Sequence, residues 1–296
     1  MDYLERTGSV RANPGQLLPG ARSVVCLAAT HDARPFAASD GAKIARYAAG
    51  PDYHGTLRQQ ALALAQAVRD RLGFPYGFRV CVDSTPIAER SFAAAAGLGW
   101  IGKNGCLIDR ELGSYLLLAE IVTDLDLPPD EPVAERCGEC TRCLDACPTS
   151  AFVQPGLLDA ARCLAYWTIE HRGPIPPEMK AHVADRVFGC DICQEVCPWN
   201  KPLPFGEARR RSPQRSAPTR GEWLEMGRGE WKRGWGATAL NRAGRRGLQR
   251  NAAASAGAVG DSSCETLLRQ AAGTSDRGLA DAAQWALERM ATPTED

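Results

Sequence analysis

The chain has 296 residues, with 35 Lys and Arg and 35 Asp and Glu, so its formal net charge is zero. It contains no run of about 18 apolar residues, which argues against a membrane span, and its first twenty residues lack the apolar region of a secretion signal. Its twelve cysteines then predict metal or redox ligands in the cytosol and not a disulfide framework.

Short apolar runs and amphipathic stretches alternate in the first part of the chain. The predicted elements are a strand at 21–30, a helix at 56–72, a strand at 78–84, a helix at 86–99 and two strands within 104–125. Strands that alternate with helices are typical of α/β domains. We therefore predict an α/β domain over residues 1–132.

Eight of the twelve cysteines lie between Cys137 and Cys197. The first run has the spacing C-x2-C-x2-C-x3-C-P, which holds a [4Fe–4S] cluster in bacterial ferredoxins, where the fourth cysteine reaches a neighbouring cluster. The second run, Cys190-x2-Cys193-x3-Cys197-Pro198, has one cysteine fewer than this spacing requires. Cys163, which lies between the two runs, is the only unassigned cysteine in the block. The crossing rule therefore predicts two sets of ligands: Cys137, Cys140, Cys143 and Cys197 for cluster 1, and Cys147, Cys163, Cys190 and Cys193 for cluster 2.

Zinc is the alternative occupant, because eight thiolates could hold two zinc ions. Zinc sites usually separate two C-x2-C pairs by a longer loop and lack the repeated Cys-Pro ending. Two [4Fe–4S] clusters over residues 133–205 are therefore favoured. Of the remaining cysteines, Cys26, Cys81 and Cys106 lie in apolar, strand-like runs and are expected to be small buried apolar residues.

The positive charge of the chain is concentrated after the cysteine block. Residues 201–250 carry 13 Lys and Arg against 4 Asp and Glu, a balance of +9. Such a segment predicts the docking of a polyanion, and a solvated linker is the alternative. Three Ala-rich helices follow, at 248–260, 264–273 and 279–291, and their rhythm of about thirty residues indicates a helical repeat. A helical domain is expected over residues 206–296.

Four segments together resemble the epoxyqueuosine reductase family: VDSTPIAERSFAAAAGLGWIGKN (82–104), LGSYLLLAEIVTDLDL (112–127), CGECTRCLDACPTSAF (137–152) and GCDICQEVCPWN (189–200). The resemblance implies a cobalamin-dependent oxidoreductase, related to reductive dehalogenases, that reduces epoxyqueuosine to queuosine at the wobble position of tRNA, the last step of queuosine biosynthesis. It also implies an α/β domain that binds base-off cobalamin, a ferredoxin-like middle domain and a HEAT-like all-α C-terminal domain.

The resemblance marks Asp83, in the VDS motif, as the proton donor to the oxygen of the epoxide. The alternative is that Asp83 caps the helix expected near Pro86. DYHGTL (52–57) lacks the glycine of the Asp-x-His-x-x-Gly signature for a cobalt-ligating histidine, so His54 is expected to be a pocket or packing residue. The implied cobalamin contacts are Arg11, Ala45, Arg46, Asp83, Arg90, Leu107, Leu118 and Ala165, and a helix-surface position is the alternative for Arg90.

Contacts with tRNA are expected in two places. His171 and Arg172, in a loop between cluster ligands, are expected to reach the anticodon nucleotides. A helix expected to start near Gly247 would bind phosphates through its N-terminal amides and nearby side chains. These side chains are Arg242, Arg245, Arg246, Arg250 and Asn251. The alternatives are a solvated repeat surface and, for His171 and Arg172, a simple turn.

The resemblance also implies an external one-electron donor of the flavodoxin or ferredoxin type, and a cytoplasmic monomer without membrane association is expected. Two other functions stay open: a corrinoid reductase of small molecules, such as a reductive dehalogenase, and a ferredoxin-like electron carrier. The Arg-rich segment argues against the first, and the large share of chain outside the cysteine block argues against the second. Longer relatives carry a further segment ahead of YLER (3–6), so this chain is expected to lack an outer layer of the cobalamin domain or to start late.

Overall fold

The structure, a computed structural model, describes residues 1–31, 34–200 and 216–292. The described strands are β1 (Ser23–Thr30), β2 (Phe36–Ala37), β3 (Lys43–Ile44), β4 (Phe78–Cys81), β5 (Trp100–Ile101), β6 (Leu107–Ile108), β7 (Leu116–Thr123), β8 (Phe152–Gln154), β9 (Leu157–Leu158) and β10 (Arg186–Phe188). The described α-helices are α1 (Tyr3–Arg6), α2 (Gly8–Ala12), α3 (Tyr53–Leu72), α4 (Glu89–Ala95), α5 (Arg142–Asp145), α6 (Pro177–Val183), α7 (Ile192–Glu195), α8 (Arg220–Glu225), α9 (Arg228–Gly234), α10 (Gly244–Val259), α11 (Glu265–Ala272) and α12 (Arg277–Ala291). The predicted domain boundary after residue 205 lies outside the described residues.

A three-stranded sheet in the order β1-β7-β4 forms the centre of the N-terminal region. α3 packs on one face of it through Leu57, Ala61 and Ala65, which share one side of the helix because they are spaced four residues apart. α4 contacts the sheet at β1 and β7. The strands and helices predicted here are present, but both strand pairs are antiparallel, and the helix predicted from residue 86 begins only at Glu89.

A second sheet joins regions that the sequence divided into separate domains. β10 pairs in parallel with β3, and β3 pairs antiparallel with β2. Gly189, directly after β10, has a φ of +71°, and a Cβ at this position would lie 2.5 Å from the Cβ of Ala45. The close approach of these two segments therefore requires glycine. Phe188 shares a buried core with Trp223 and Leu248, so the C-terminal helices pack against this sheet.

Residues 216–292 contain helices and no strand, as expected for the C-terminal domain. α10 packs against α8 and α12, and the residues from Leu248 to Gly257 are all buried. A Cβ at Gly257 would lie 2.6 Å from the Cα of Ala286, so α10 and α12 cross where a side chain would not fit. Within the described ranges, no helix is both long enough and apolar enough to cross a bilayer.

Candidate active site

The four cysteines predicted for cluster 1 line one cavity. The cavity has a volume of about 330 Å³, and its cysteines are Cys137, Cys140, Cys143 and Cys197. Both cysteine runs contribute, as crossed ligation requires. Burial raises the pKa of Cys143, and the charges of neighbouring thiolates raise it further. Iron bound by these sulfurs would relieve both effects, so the residues fit a cluster.

The cysteines predicted for cluster 2 are all partly buried. Burial raises the pKa of Cys190 to about 11 and also raises that of Cys193, and the charge of Cys163 contributes in both cases. Burial, followed by the charge of Cys147, likewise raises the pKa of Cys163. The four thiols are therefore electrostatic neighbours and fit a second cluster. Among the described residues, no three His, Cys, Asp or Glu side chains converge on a position for a single metal ion.

A larger cavity of about 1,180 Å³ contains residues from all three parts of the chain. Its walls include Cys163 of the second cysteine set, Asp83 after β4, and Arg242 before α10. Pockets for small ligands usually measure roughly 300–1,000 Å³. This cavity therefore has room for a macrocycle such as cobalamin, and it brings Cys163, a predicted cluster ligand, and the carboxyl group of Asp83 into one space.

A π-helical turn, Tyr166–Glu170, forms part of this wall. Such wide turns are rare and need support from outside the helix. Arg250 donates hydrogen bonds of 2.7–3.0 Å to the carbonyls of Trp167, His171 and Gly173, and Asn251 donates to that of Thr168. Arg250 and Asn251 are only 3% and 0% exposed. Their predicted contact with tRNA phosphates is therefore wrong, because their polar groups are buried and hold the cavity wall.

Asp83 has a φ of +43°, a left-handed conformation that is uncommon for residues other than glycine and often marks functional sites. Its backbone N–H donates to Glu89 Oε1 at 2.5 Å, and its Oδ2 lies 2.8 Å from His54 Nε2. Its side chain is 54% exposed and lines the cavity. The N-cap of α4 is Ala88, so the alternative that Asp83 caps this helix is wrong.

His54 links two carboxylates. Asp52 caps α3 by accepting the backbone N–H of His54, and this turn places His54 Nδ1 2.6 Å from Asp52 Oδ1. Burial lowers the pKa of His54, but the hydrogen bonds and charges of Asp52 and Asp83 together raise it above its ordinary value. A protonated imidazole can donate to both carboxylates at once. His54 is therefore a polar partner of Asp83 and not only a packing residue.

Two further residues complete the surroundings of Asp83. Burial raises the pKa of Glu89 to about 7, and the charge of Asp83 adds to this. Burial, followed by the charge of Asp83, also raises the pKa of Tyr53, which hydrogen-bonds to Asp83. We call Asp83, His54, Glu89 and Tyr53 the Asp83 cluster. The sequence analysis missed Glu89 and Tyr53, although each is adjacent to a residue that it discussed.

Four of the eight predicted cobalamin contacts line the large cavity, namely Arg11, Asp83, Arg90 and Ala165. Arg11 donates to the carbonyl of Ile87, and Arg90 donates to that of Gly105, so both guanidiniums are oriented by backbone. The other four do not line it: Ala45 and Leu107 are buried in the core, Arg46 pairs with Glu195 at 2.9 Å, and Leu118 lies within β7.

Three of the predicted tRNA contacts, His171, Arg172 and Arg242, meet in a cleft of about 410 Å³ that shares residues with the large cavity. Arg242 makes two hydrogen bonds to Glu170, of 2.6 and 2.8 Å, and Arg172 donates to the carbonyl of Arg242. Arg245 and Arg246 each donate to Gln249 on α10, which begins at Gly244 and not near Gly247. The cleft therefore places the basic side chains of His171, Arg172 and Arg242 next to the large cavity.

Comparison with known proteins gives matches over most of the chain. Residues 136–200 match the family profile of the 4Fe-4S double cluster binding domain, and residues 11–84 match that of Epoxyqueuosine reductase QueG. An epoxyqueuosine reductase of Xanthomonas campestris is 47% identical over 208 residues, which are 68% of this chain and 58% of the relative. The chain thus spans little more than half the length of that relative.

Other matches cover more of the relative. An epoxyqueuosine reductase of Cellulophaga algicola is 38% identical over 253 residues, which are 85% of this chain and 82% of the relative. The crystal structure of epoxyqueuosine reductase with a tRNA-Tyr epoxyqueuosine-modified tRNA stem loop matches with a TM-score of 0.85 and 30% identity, covering 99% of this chain and 83% of that chain. These similarities, together with the double-cluster domain, show that the chain belongs to the epoxyqueuosine reductase family.

Proposed function

We propose that this chain reduces the epoxide of epoxyqueuosine to give queuosine at the wobble position of tRNA. The observation that carries the proposal is the single cavity that contains both Cys163 and Asp83. A cluster ligand and a proton donor thus face the same space. Relatives named for this enzyme, and a solved relative with the modified stem loop, support the same substrate.

The stoichiometry of the reaction defines what the site supplies. As its name states, epoxyqueuosine carries an epoxide oxygen that queuosine lacks, so its removal as water consumes two electrons and two protons. When bound, the two clusters supply single electrons and cobalamin supplies a cobalt centre that can be reduced. The protons come from the chain itself, and the Asp83 cluster is the group of titratable side chains that lines the cavity.

In this proposal each member of the Asp83 cluster has a defined task. Asp83 protonates the oxygen that leaves carbon, because its carboxyl is exposed to the cavity. His54 returns a proton to Asp83 across their 2.8 Å contact, and the two carboxylates that raise its pKa favour the protonated imidazole. Glu89 accepts the backbone N–H of Asp83 and so fixes its conformation. With a pKa of about 7, Glu89 also holds a second proton.

We propose that Arg11, Arg90 and Ala165, which line the cavity beside Asp83, contact cobalamin. The substrate nucleotides enter past His171, Arg172 and Arg242, and this arrangement gives the cations a role that a reductive dehalogenase would not need. Arg245 and Arg246 extend the positive surface along α10 and bind phosphates. The protein works in the cytoplasm as a monomer.

The external electron donor is proposed to approach the cavity of the first cysteine set. Cys137 and Cys140 are only partly buried there, and exposed Arg136 and Arg142 border the same cavity. Cys163, in contrast, lines the large cavity. The first set thus borders a cavity with exposed arginines, and Cys163 of the second set borders the large cavity. A flavodoxin- or ferredoxin-type protein fits this one-electron role.

The proposal is tested with protein reconstituted anaerobically with iron, sulfide and cobalamin, reduced by a flavodoxin and incubated with tRNA that contains epoxyqueuosine. Mass spectrometry of the digested tRNA should show that the modified nucleoside loses one oxygen. Dechlorination of a chlorinated phenol without conversion of the tRNA would instead identify a small-molecule reductase. Cluster absorption without corrinoid bands, together with unchanged tRNA, would identify an electron carrier.

A further inference from the structure

The segment around β5 contains a buried polar group without a partner. Trp100 is 2% exposed, and among the described residues its indole nitrogen has no hydrogen-bond partner. Burying an N–H group without an acceptor costs roughly 1–3 kcal/mol. A bound group that supplies an acceptor would remove this cost, and the surroundings of Trp100 indicate which group that is.

Trp100 packs directly against cysteines of the first set. It shares a buried cluster with Ile108 and Cys197, and Cys137 packs against the same cluster. Its ring lies 4.9 Å from that of Trp199 in an edge-to-face arrangement, which fixes the plane of the indole. Gly99 permits this placement, since a Cβ there would lie 2.2 Å from the carbonyl oxygen of Ile108. The local fold thus orients Trp100 beside two sulfurs.

Lys103, in the same segment, donates through its side chain to the carbonyl of Gly138 at 2.5 Å. This contact ties the segment of Trp100 to the first cysteine run.

We propose that Trp100 donates its indole N–H to a sulfur of cluster 1 and thereby raises the reduction potential of this cluster relative to cluster 2. The physical reason is that reduction adds negative charge to the cluster and its sulfurs, and a hydrogen bond to sulfur stabilises the more negative state. A higher potential makes cluster 1 easier for an external donor to reduce. The proposal depends on the ligands of cluster 1 and not on the identity of the substrate.

The test is a redox titration followed by electron paramagnetic resonance on the full chain with both clusters, without tRNA. Trp100→Phe keeps an aromatic ring but removes the N–H. One of the two midpoint potentials should become more negative, and the other should stay at the wild-type value. Trp223→Phe is the matched control, because Trp223 is 1% exposed and its indole nitrogen also lacks a partner among the described residues. It lies in the C-terminal core, so neither midpoint should change.

Two outcomes would overturn the proposal. The first is a Trp100→Phe protein with both midpoints unchanged, which would leave Trp100 a packing residue. The second is a shifted midpoint potential that belongs to cluster 2, the cluster that Cys163→Ser removes. The remaining midpoint of a Trp100→Phe, Cys163→Ser double variant would then equal that of Cys163→Ser alone. If Trp100→Phe loses iron, position 100 is filled with benzothienylalanine, which keeps the two-ring shape without an N–H. The two midpoint potentials of that protein are then compared with those of the wild type in the same way.

Discussion

Glu120 provides a test of the electrostatics beneath the Asp83 cluster. It lies on β7 between Cys26 of β1 and Cys81 of β4, is 0% exposed, and neither of its carboxyl oxygens has a hydrogen-bond partner among the described residues. Burial, with a smaller contribution from the charge of Glu89, raises its pKa to about 8. The side chain is therefore protonated in the folded protein at neutral pH.

The substitution Glu120→Gln keeps the size of the side chain and removes its titration. Because the folded pKa is above the ordinary value of 4.5, the stabilisation by protonated Glu120 is complete below that pH and is lost as the pH rises to about 8. The loss is at most about 1.4 kcal/mol for each pH unit, or roughly 4 kcal/mol between pH 5 and pH 8. At about 2 °C per kcal/mol, the melting temperatures of the variant and the wild type should diverge by up to about 8 °C.

The assay is the apparent melting temperature by circular dichroism, at one heating rate, across this pH range. Glu111→Gln, at an exposed turn, is the control for the loss of one carboxylate. The wild type and the control should lose stability together as the pH rises, while Glu120→Gln should lose less. Any constant cost of burying the amide cancels in this comparison. Parallel curves for all three proteins would refute the reasoning that burial dominates the ionisation of Glu120.

Four other predictions concern the candidate site and the residues that support it. Cys163→Ser should lose cluster 2 and keep cluster 1, and an iron content equal to that of the wild type would show that Cys163 is not a ligand. Asp83→Asn should bind cobalamin and tRNA but turn over about 10²–10⁴-fold more slowly, the usual contribution of general acid catalysis; near-normal turnover would make Asp83 structural. Arg246→Ala should reduce the salt slope of tRNA binding by about one unit. Arg250→Ala should instead destabilise the fold, because it removes three hydrogen bonds that buried Arg250 makes to backbone carbonyls, and an unchanged melting temperature would contradict this.

The sequence predicted the features that depend on local pattern. Residues 56–72 lie within α3, because apolar residues four apart define a helical face, and residues 21–30 contain β1. Ferredoxin-type spacing predicted the double-cluster domain that residues 136–200 match, since the ligand pattern of a cluster lies in short runs of sequence. The assignment of each cysteine to a cluster stays a prediction. The start of α4 was placed too early, because Pro86 is favourable at the first helical turn but does not require a helix there.

Features that depend on contacts between distant segments could not be predicted. The burial of Arg250 against the π-helical turn could not be predicted, since an arginine near a helix start usually faces solvent. The same holds for Glu89, whose raised pKa arises from burial beside Asp83 in the folded chain. Trp100 lies in a glycine-rich stretch of sequence. Its position beside Cys137 and Cys197 could not be predicted, because it depends on packing between distant segments.

The central claim is that the cavity joining Cys163 and Asp83 is where epoxyqueuosine is reduced. The most direct measurement is a single-turnover experiment in which cobalamin-loaded wild type and Cys163→Ser are reduced with a counted, limiting number of electrons and mixed with tRNA that contains epoxyqueuosine. The account predicts one queuosine for every two electrons from the wild type and almost none from Cys163→Ser, even with its cluster 1 reduced. An equal yield of queuosine from the two proteins would contradict the account.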